Sequence, residues 1–213
     1  MEFVGIDVGE DKYFVVSFSD KRQNFQKESF VDFKEIFEFI KNKDVIIAID
    51  APSGCCLTKG GKRECEEKLG IGGYFKTPDN ISGAKPWMKT GFHLWDFLIQ
   101  SQGFERAKSY SVKNKELIEV HPTIMFKKIK NPEINESQRW IGLKSPVSKK
   151  KSKGRNQRKE ILKDLFPIEG EFIDKLKIDH VDALISAYIA EQAYKGNCKA
   201  IGKFEDGQIW VVK

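Results

Sequence analysis

The sequence predicts an α/β fold on a mixed sheet, and three stretches carry that expectation. Residues 3–8 alternate and are rich in Val, Ile and Phe, and residues 13–18 repeat the pattern after a turn at 9–12, which reads as a hairpin. Residues 45–49 (Val-Ile-Ile-Ala-Ile) form a continuous apolar run ended by Asp50-Ala51-Pro52, the pattern of a strand covered on both faces. Between them, Phe33, Ile36, Phe37 and Ile40 recur at helical spacing over residues 32–42, with Asp32 placed to cap the helix. With a weaker strand at 24–30, the order is three antiparallel strands, a helix, and a buried strand returning parallel to the first. That is a right-handed crossover onto a mixed sheet.

The remaining elements follow by the same rules. Residues 53–112 differ in texture, with many glycines, a helix at 63–69 and an aromatic helix around 86–101. This segment reads as an insertion after the fourth strand of one domain spanning 1–213. Bases could stack on its Trp87, Phe92, Trp95 and Phe97, but Phe92, Trp95 and Leu98 share helical spacing, which favours core or cap packing. Leu117-Ile118-Glu119-Val120-His121 reads as a strand halted by Pro122, followed by a helix to about Lys130. A helix from about Arg155 to Phe166, a long helix from Asp179 to about Tyr194, and a terminal hairpin over 198–212 turning at Asp206-Gly207 complete the chain.

Composition narrows the function classes. Hydrophobic content of 40% with 16 Phe is that of a folded protein. No stretch reaches the roughly 18 apolar residues of a membrane span, and the start lacks a basic, signal-like segment, so a cytoplasmic protein with no membrane partner is expected. Cys55, Cys56, Cys65 and Cys198 lack the paired spacing of a zinc site and read as reduced thiols. The net charge of +6 is unevenly placed: residues 144–159 hold eight Lys or Arg and no acid, and without them the rest carries −2. Such a run is either a solvated loop or a patch that meets a polyanion, depending on what lies beside it.

Candidate chemistry rests on acids in unusual places. Asp7 interrupts an apolar strand on the face of Phe3, Gly5 and Gly9, where a carboxylate needs a partner or a cation. If strands 1 and 4 are parallel neighbours, Asp7 and Asp50 share the edge where α/β sheets bind ligands. Asp50 before Ala-Pro also fits a plain turn. Glu119 and His121, two apart, point to one face. Glu119 is a candidate ligand or base and could equally pair with a lysine, and a strand histidine is commonly structural. Asp179 and Asp182 are three apart at a helix start, suited to a shared metal, or to an N-cap and a first-turn acid respectively. Together these carboxylates match the oxygen donors favoured by Mg²⁺ or Mn²⁺ and the needs of two-metal phosphodiester cleavage. Lys153, Arg155, Arg158 and nearby lysines would hold phosphates.

Several blocks resemble the domain of unknown function 429 family of predicted RNase H-like nucleases: Phe3 to Asp7, Ile47 to Pro52, Arg63-Glu-Cys-Glu, Glu119-Val-His121-Pro122, the Gly154/Arg158 helix start and Asp179-His180-Val-Asp182-Ala183-Leu. They span most of the chain in the expected order. The resemblance implies an RNase H-like mixed five-stranded sheet of order 3-2-1-4-5 with helices on both faces. It maps that superfamily's first catalytic acid to Asp7, and a last-helix pair to Asp179 or His180 with Asp182. Asp50, Glu119 and His121 match the family's own blocks.

The leading expectation is a Mg²⁺- or Mn²⁺-dependent nuclease acting on DNA or RNA, with Asp7, Asp50, Asp179 and Asp182 as metal ligands, Glu119 as a further catalytic acid, and His121 with the basic residues on substrate. The alternative is a nucleic-acid-binding module of the same fold without turnover. A third reading takes Gly5-Ile6-Asp7-Val8-Gly9 as the phosphate loop of an actin-like sugar kinase, but the required second Gly-rich motif is absent from the sequence.

Overall fold

The computed structural model describes residues 1–108, 112–131 and 147–213. Strands β1 (Glu2–Val8), β2 (Tyr13–Ser19) and β3 (Gln26–Phe30) form an antiparallel meander. Helix α1 (Phe33–Ile40) leads to β4 (Val45–Asp50), which pairs parallel to β1. Asp32 caps α1 by accepting from the Lys34 amide, and Glu35 returns the bond to the cap backbone, so the reciprocal capping box sets where the helix begins.

Helices α2 (Glu64–Leu69) and α3 (Pro86–Asp96), the latter continued by a π-helical turn at Phe97–Ser101, fill the segment after β4. Two short strands follow, β5 (Glu105–Arg106) and β6 (Glu116–Glu119), then α4 (Pro122–Lys130), α5 (Ser152–Leu165), α6 (Gly170–Asp174) and α7 (Ile178–Tyr194). The hairpin β7 (Cys198–Ile201) and β8 (Ile209–Val212) ends the chain, with Gly207 at positive φ in its turn.

The sheet is larger than the five strands expected. Among the described residues it has eight strands, running β3-β2-β1-β4-β6-β8-β7 with β5 alongside β6. The order 3-2-1-4 is as expected, and the fifth position falls to β6. The difference lies in the terminal hairpin, which joins the sheet where Ile209 pairs with Glu119. Ile209, Trp210 and Val211 are all buried: Ile209 and Val211 pack with Cys65, Leu69 and Ile124, and Trp210 packs in the core on the other face. The short β5 gives no alternating signal and carries too few residues to be read from sequence.

Alternation along β1 and β4 sorts the molecule into layers. Val4, Ile6, Val8, Ile47 and Ile49 pack with α1 and α3. Phe3, Ile46 and Ala48 pack on the other side with α4, α5, α6 and α7. Helix α7 is buried nearly all round because it lies between the sheet and α4/α5. Its approach to β1 depends on Gly5: a Cβ there would lie 1.9 Å from the Ala183 carbonyl oxygen and 2.4 Å from the Ala187 nitrogen. Farther along α7, Glu191 is fully buried and is held by Arg22 at 2.8 and 3.0 Å and by Lys195 at 2.7 Å. No helix among the described residues is long and apolar enough to cross a membrane.

Candidate functional site

The site begins where β1 and β4 end. Asp7 and Asp50 are direct partners in the parallel register, so their side chains project together at the carboxyl edge of the sheet. Both belong to the face on which α7 packs, by the same alternation that buries Phe3 and Ala48 there. Burial pushes the Asp7 carboxyl up to about 7, with Asp182 and Asp179 adding to the rise and Lys149 opposing it. Asp50 is raised well above its ordinary value by burial and then by the Asp7 charge. Each carboxyl raises the cost of charging the other, so the pair resists being doubly ionised unless a cation neutralises it.

Helix α7 brings the second pair. Asp182 is 2 % exposed and sits between two cations: Lys149 Nζ at 2.6 Å and Arg158 Nη1 at 3.0 Å. Lys149 also lies 3.7 Å from Asp179. Burial works against the Lys149 charge, but Asp182, Asp7 and Asp50 outweigh it and hold the ammonium protonated well above its usual range. The helix cap is Lys177, so Asp179 is a first-turn acid and not the N-cap. Gly154 sets where Lys149 sits: a Cβ there would lie 2.2 Å from the Ser148 carbonyl oxygen, so the start of α5 presses directly on the loop that carries Lys149.

These residues all lie between positions 5 and 206, the stretch that matches a protein family. Residues 5–206 match the model of a family described as proteins of unknown function (DUF429). The chain belongs to this family. No curated protein matches it.

In this DUF429 chain, Glu119 and His121 follow a different course from the aspartates. Leu117 packs in the layer of α1 and α3, and alternation sends Glu119 to that side, opposite Asp7 and Asp50. Both Glu119 oxygens are engaged: Arg63 donates to them at 2.7 and 2.9 Å, and the Ser53 amide donates at 2.9 Å. Arg63 is 2 % exposed and also reaches Glu66 at 3.1 Å. Burial opposes the Arg63 charge, yet Glu119 more than offsets it. Such a bidentate pair is a strong tie, and losing one partner strands a buried charge at a cost of about 3–5 kcal/mol. His121 caps α4 through its backbone carbonyl. Burial, then the neighbouring Lys127 and Lys149, lower its ring to about 4, so the imidazole is neutral at pH 7.

His180 lies apart from the cluster. Its Nε2 contacts the Glu28 carbonyl at 3.0 Å and Ser29 Oγ at 3.2 Å, and its ring meets Phe14 edge-on. It ties α7 to β3, which leaves Asp179 as the partner of Asp182.

One cavity of about 290 Å³ joins the groups. Asp7, Asp50, Asp179, Asp182 and Lys149 line one part of it, and Arg63, Glu119 and His121 another. Tyr74, Phe75 and Trp87 form an aromatic wall. The sequence offers Trp87 for base stacking, with core or cap packing preferred, and does not single out Tyr74, Phe75, the place of Lys149 in the acidic cluster or the Arg63–Glu66 tie. The signals were present: Tyr74-Phe75 closes the glycine-rich stretch Gly70 to Gly73, and Arg63 and Glu66 stand three apart at a helix start. The core assignment for the aromatic helix is correct for Trp95 and Leu98, which are buried, with Trp95 Nε1 donating to the Ala51 carbonyl at 3.2 Å.

The basic segment divides. Lys150, Lys151, Lys153 and Arg155 are exposed, whereas Arg158 is buried under Asp182 with its guanidinium 4.7 Å from the Phe126 ring centroid. Arg158 therefore serves the cluster and is not a surface phosphate contact. Lys144 lies outside the described residues.

A hard divalent cation suits this donor set, because all four aspartates offer only oxygen. Among the described residues, no three His, Cys, Asp or Glu side chains converge on one point as they stand. The positive charge beside the aspartates belongs to Lys149 and Arg158.

Proposed function

We propose that this chain is a Mg²⁺- or Mn²⁺-dependent phosphodiesterase acting on nucleic acid, with an RNase H-like fold. The observation that carries the reading is the in-register Asp7–Asp50 pair facing Asp182 and Asp179 across one cavity. Two neighbouring carboxyls whose charges are disfavoured by burial and, for Asp50, by its neighbour are suited to giving up protons to a cation. The order β3-β2-β1-β4-β6, three strands antiparallel and the rest parallel, supports the RNase H-like reading, as does the placement of the first-strand acid.

Asp7, Asp50, Asp179 and Asp182 would hold the metal. A bound divalent ion supplies positive charge to a phosphoryl oxygen and acidifies a water. The protein's own contributions follow from the geometry. Lys149 neutralises the acids in the resting site, and its ammonium is available to a phosphate once Asp182 turns to another cation. Arg158 fixes Asp182 from behind, holding its carboxyl toward the cavity. Glu119 positions the Ser53 turn and Arg63, so its contribution is to the shape of the site. The exposed Lys150, Lys151, Lys153 and Arg155 provide a polyanion track next to Lys149.

A Mn²⁺ soak with anomalous scattering is the direct test, paired with cleavage assays on single- and double-stranded DNA and RNA. Density among the four aspartates is expected, and Asp7→Ala should lower metal-dependent cleavage by at least about 100-fold. Undiminished cleavage in that variant would sink the assignment. The internal neutralisation of Asp182 by Lys149 and Arg158 favours a second reading, a binding module without turnover. Salt-sensitive binding with no cleavage in either metal would bring that reading forward.

A further inference from the structure

The aromatic end of the cavity has no role in metal or phosphate chemistry. Tyr74 and Phe75 are about half exposed, at 52% and 51%, and lie beside Trp87. The Tyr74 and Trp87 rings are nearly parallel, 29° apart with centroids at 6.3 Å. Phe75 bridges the wall to His121, its centroid 5.7 Å from the imidazole. Half-exposed aromatics on a glycine-rich segment offer open ring faces to a ligand without first breaking a core.

Two polar atoms at this wall lack partners among the described residues. Trp87 Nε1 and His121 Nδ1 are buried and make no hydrogen bond. Unsatisfied polar atoms of this kind are costly, and a ligand edge is one way to satisfy them. The indole supplies a donor, and a neutral imidazole supplies a donor or an acceptor according to its tautomer. Arg63 and Glu119, in contrast, are fully engaged with each other and with Glu66 and Ser53. The wall thus asks for a flat ring with hydrogen-bonding atoms on its edge. A plain hydrocarbon ring would leave both nitrogens unpaired.

Size sets the scale of the occupant. Ligand pockets commonly run from ~300 to 1,000 Å³, and about 290 Å³ lies at the small end. That space takes one nucleotide-sized group and no stacked base pair.

From these observations we propose that Tyr74, Phe75, Trp87 and His121 form a nucleobase subsite that receives one unpaired base while its phosphate lies at the aspartate end of the same cavity. The inference rests on the phosphodiesterase reading for the orientation of the phosphate, and on the wall alone for the base. The base stacks on the Tyr74 and Phe75 faces with its edge toward Trp87 and His121, and pairs with Trp87 Nε1 and His121 Nδ1 once those buried atoms are uncovered. A duplex would have to release a nucleotide to fill the subsite. The same chemistry admits a free mononucleotide or a nucleotide within a single strand.

Calorimetric titrations separate these possibilities. The ligands are the four ribonucleoside 5′-monophosphates, the four nucleosides, ribose 5-phosphate lacking a base, and pentanucleotide single strands, each with Mn²⁺ or with chelator. At least one monophosphate or strand should bind about 10-fold or more tightly than ribose 5-phosphate. Phe75→Ala and Tyr74→Ala, both at exposed positions, should erase that advantage; Trp87→Phe should reduce it while keeping a ring in place. Equal binding with and without a base, or an advantage untouched by all three variants, overturns the subsite. Absence of binding by every nucleotide and strand overturns it as well. The two readings fail separately. Nucleosides binding as tightly as monophosphates, with or without Mn²⁺ and in Asp7→Asn, would keep the base subsite and remove the metal role. Mn²⁺-dependent binding of ribose 5-phosphate that Asp7→Asn abolishes, with no gain from a base, would do the reverse.

Discussion

At the scale of single residues, Asp7 shows how a site is held at the expense of stability. Its carboxyl sits near 7 in the folded protein against 3.8 for the free group, because burial disfavours the charge. The folded state therefore binds more protons than the unfolded chain between these values, and the native protein loses stability as pH rises from about 4 to about 7. Asp7→Asn removes that penalty and keeps a side chain able to hydrogen-bond Asp50. In chelator, the variant should match the wild type near pH 4 and be more stable above pH 7, by about 1–3 kcal/mol. Thermal unfolding across pH 4–8.5 measures this directly. A variant no more stable than wild type at pH 8 would show that Lys149 already satisfies the Asp7 charge. Stabilisation together with loss of metal-dependent activity is the pattern expected of a strained functional group.

At the scale of elements, α7 and β1 form the unit that builds the site. The helix presents Asp179 and Asp182 to Asp7 only because Gly5 lets it lie directly on the strand. Gly5→Ala would drive a methyl into the Ala183 carbonyl, where helix and sheet backbones meet and neither side chain can swing away. We expect a loss of about 3 kcal/mol or more in urea unfolding, and a Mn²⁺ affinity reduced beyond what the stability change explains. An unchanged unfolding midpoint would mean that α7 can lift from β1 at little cost. In the sequence, Gly5 lies on the face of Asp7 and leaves room there for something to approach. What occupies the room is a helix, a distinction carried by a contact between residues more than 170 positions apart. The opposite case is Asp32, whose cap on α1 was legible because its partners, Lys34 and Glu35, lie within three residues.

At the scale of the whole molecule, charge is segregated. The exposed part of the basic segment lies beside the acidic cavity, linked to it by Lys149 and by the tight approach of α5 at Gly154. A polyanion drawn to Lys150, Lys151 and Lys153 is thereby brought to the aspartates. Replacing these three lysines with Gln should weaken single-stranded nucleic-acid binding at least about 10-fold near 0.1 M salt, and flatten the log–log salt dependence by about two units. The unfolding midpoint should hardly move, because all three side chains are exposed. An unaltered salt slope would place the nucleic-acid track elsewhere.

Local physics made most of the framework readable before any coordinates. Alternation identified β1 and β2, a continuous apolar run identified β4, helical spacing identified α1 and α3, and carboxylates within or closing apolar strands marked Asp7 and Asp50, because each signal sits within one element. The same sequence contains the terminal hairpin but not its union with β6, which depends on one pairing between Glu119 and Ile209 across 90 positions. Nor does it say which face of the sheet each acid meets. Glu119 carries a carboxylate near the end of a buried strand, as Asp7 does, yet it is taken up by Arg63, while Asp7 joins Asp182 and Lys149. Tertiary structure alone made that choice, because a side chain's charge state and role follow from its neighbours, and here those neighbours come from distant segments that only the packed sheet and α7 bring together.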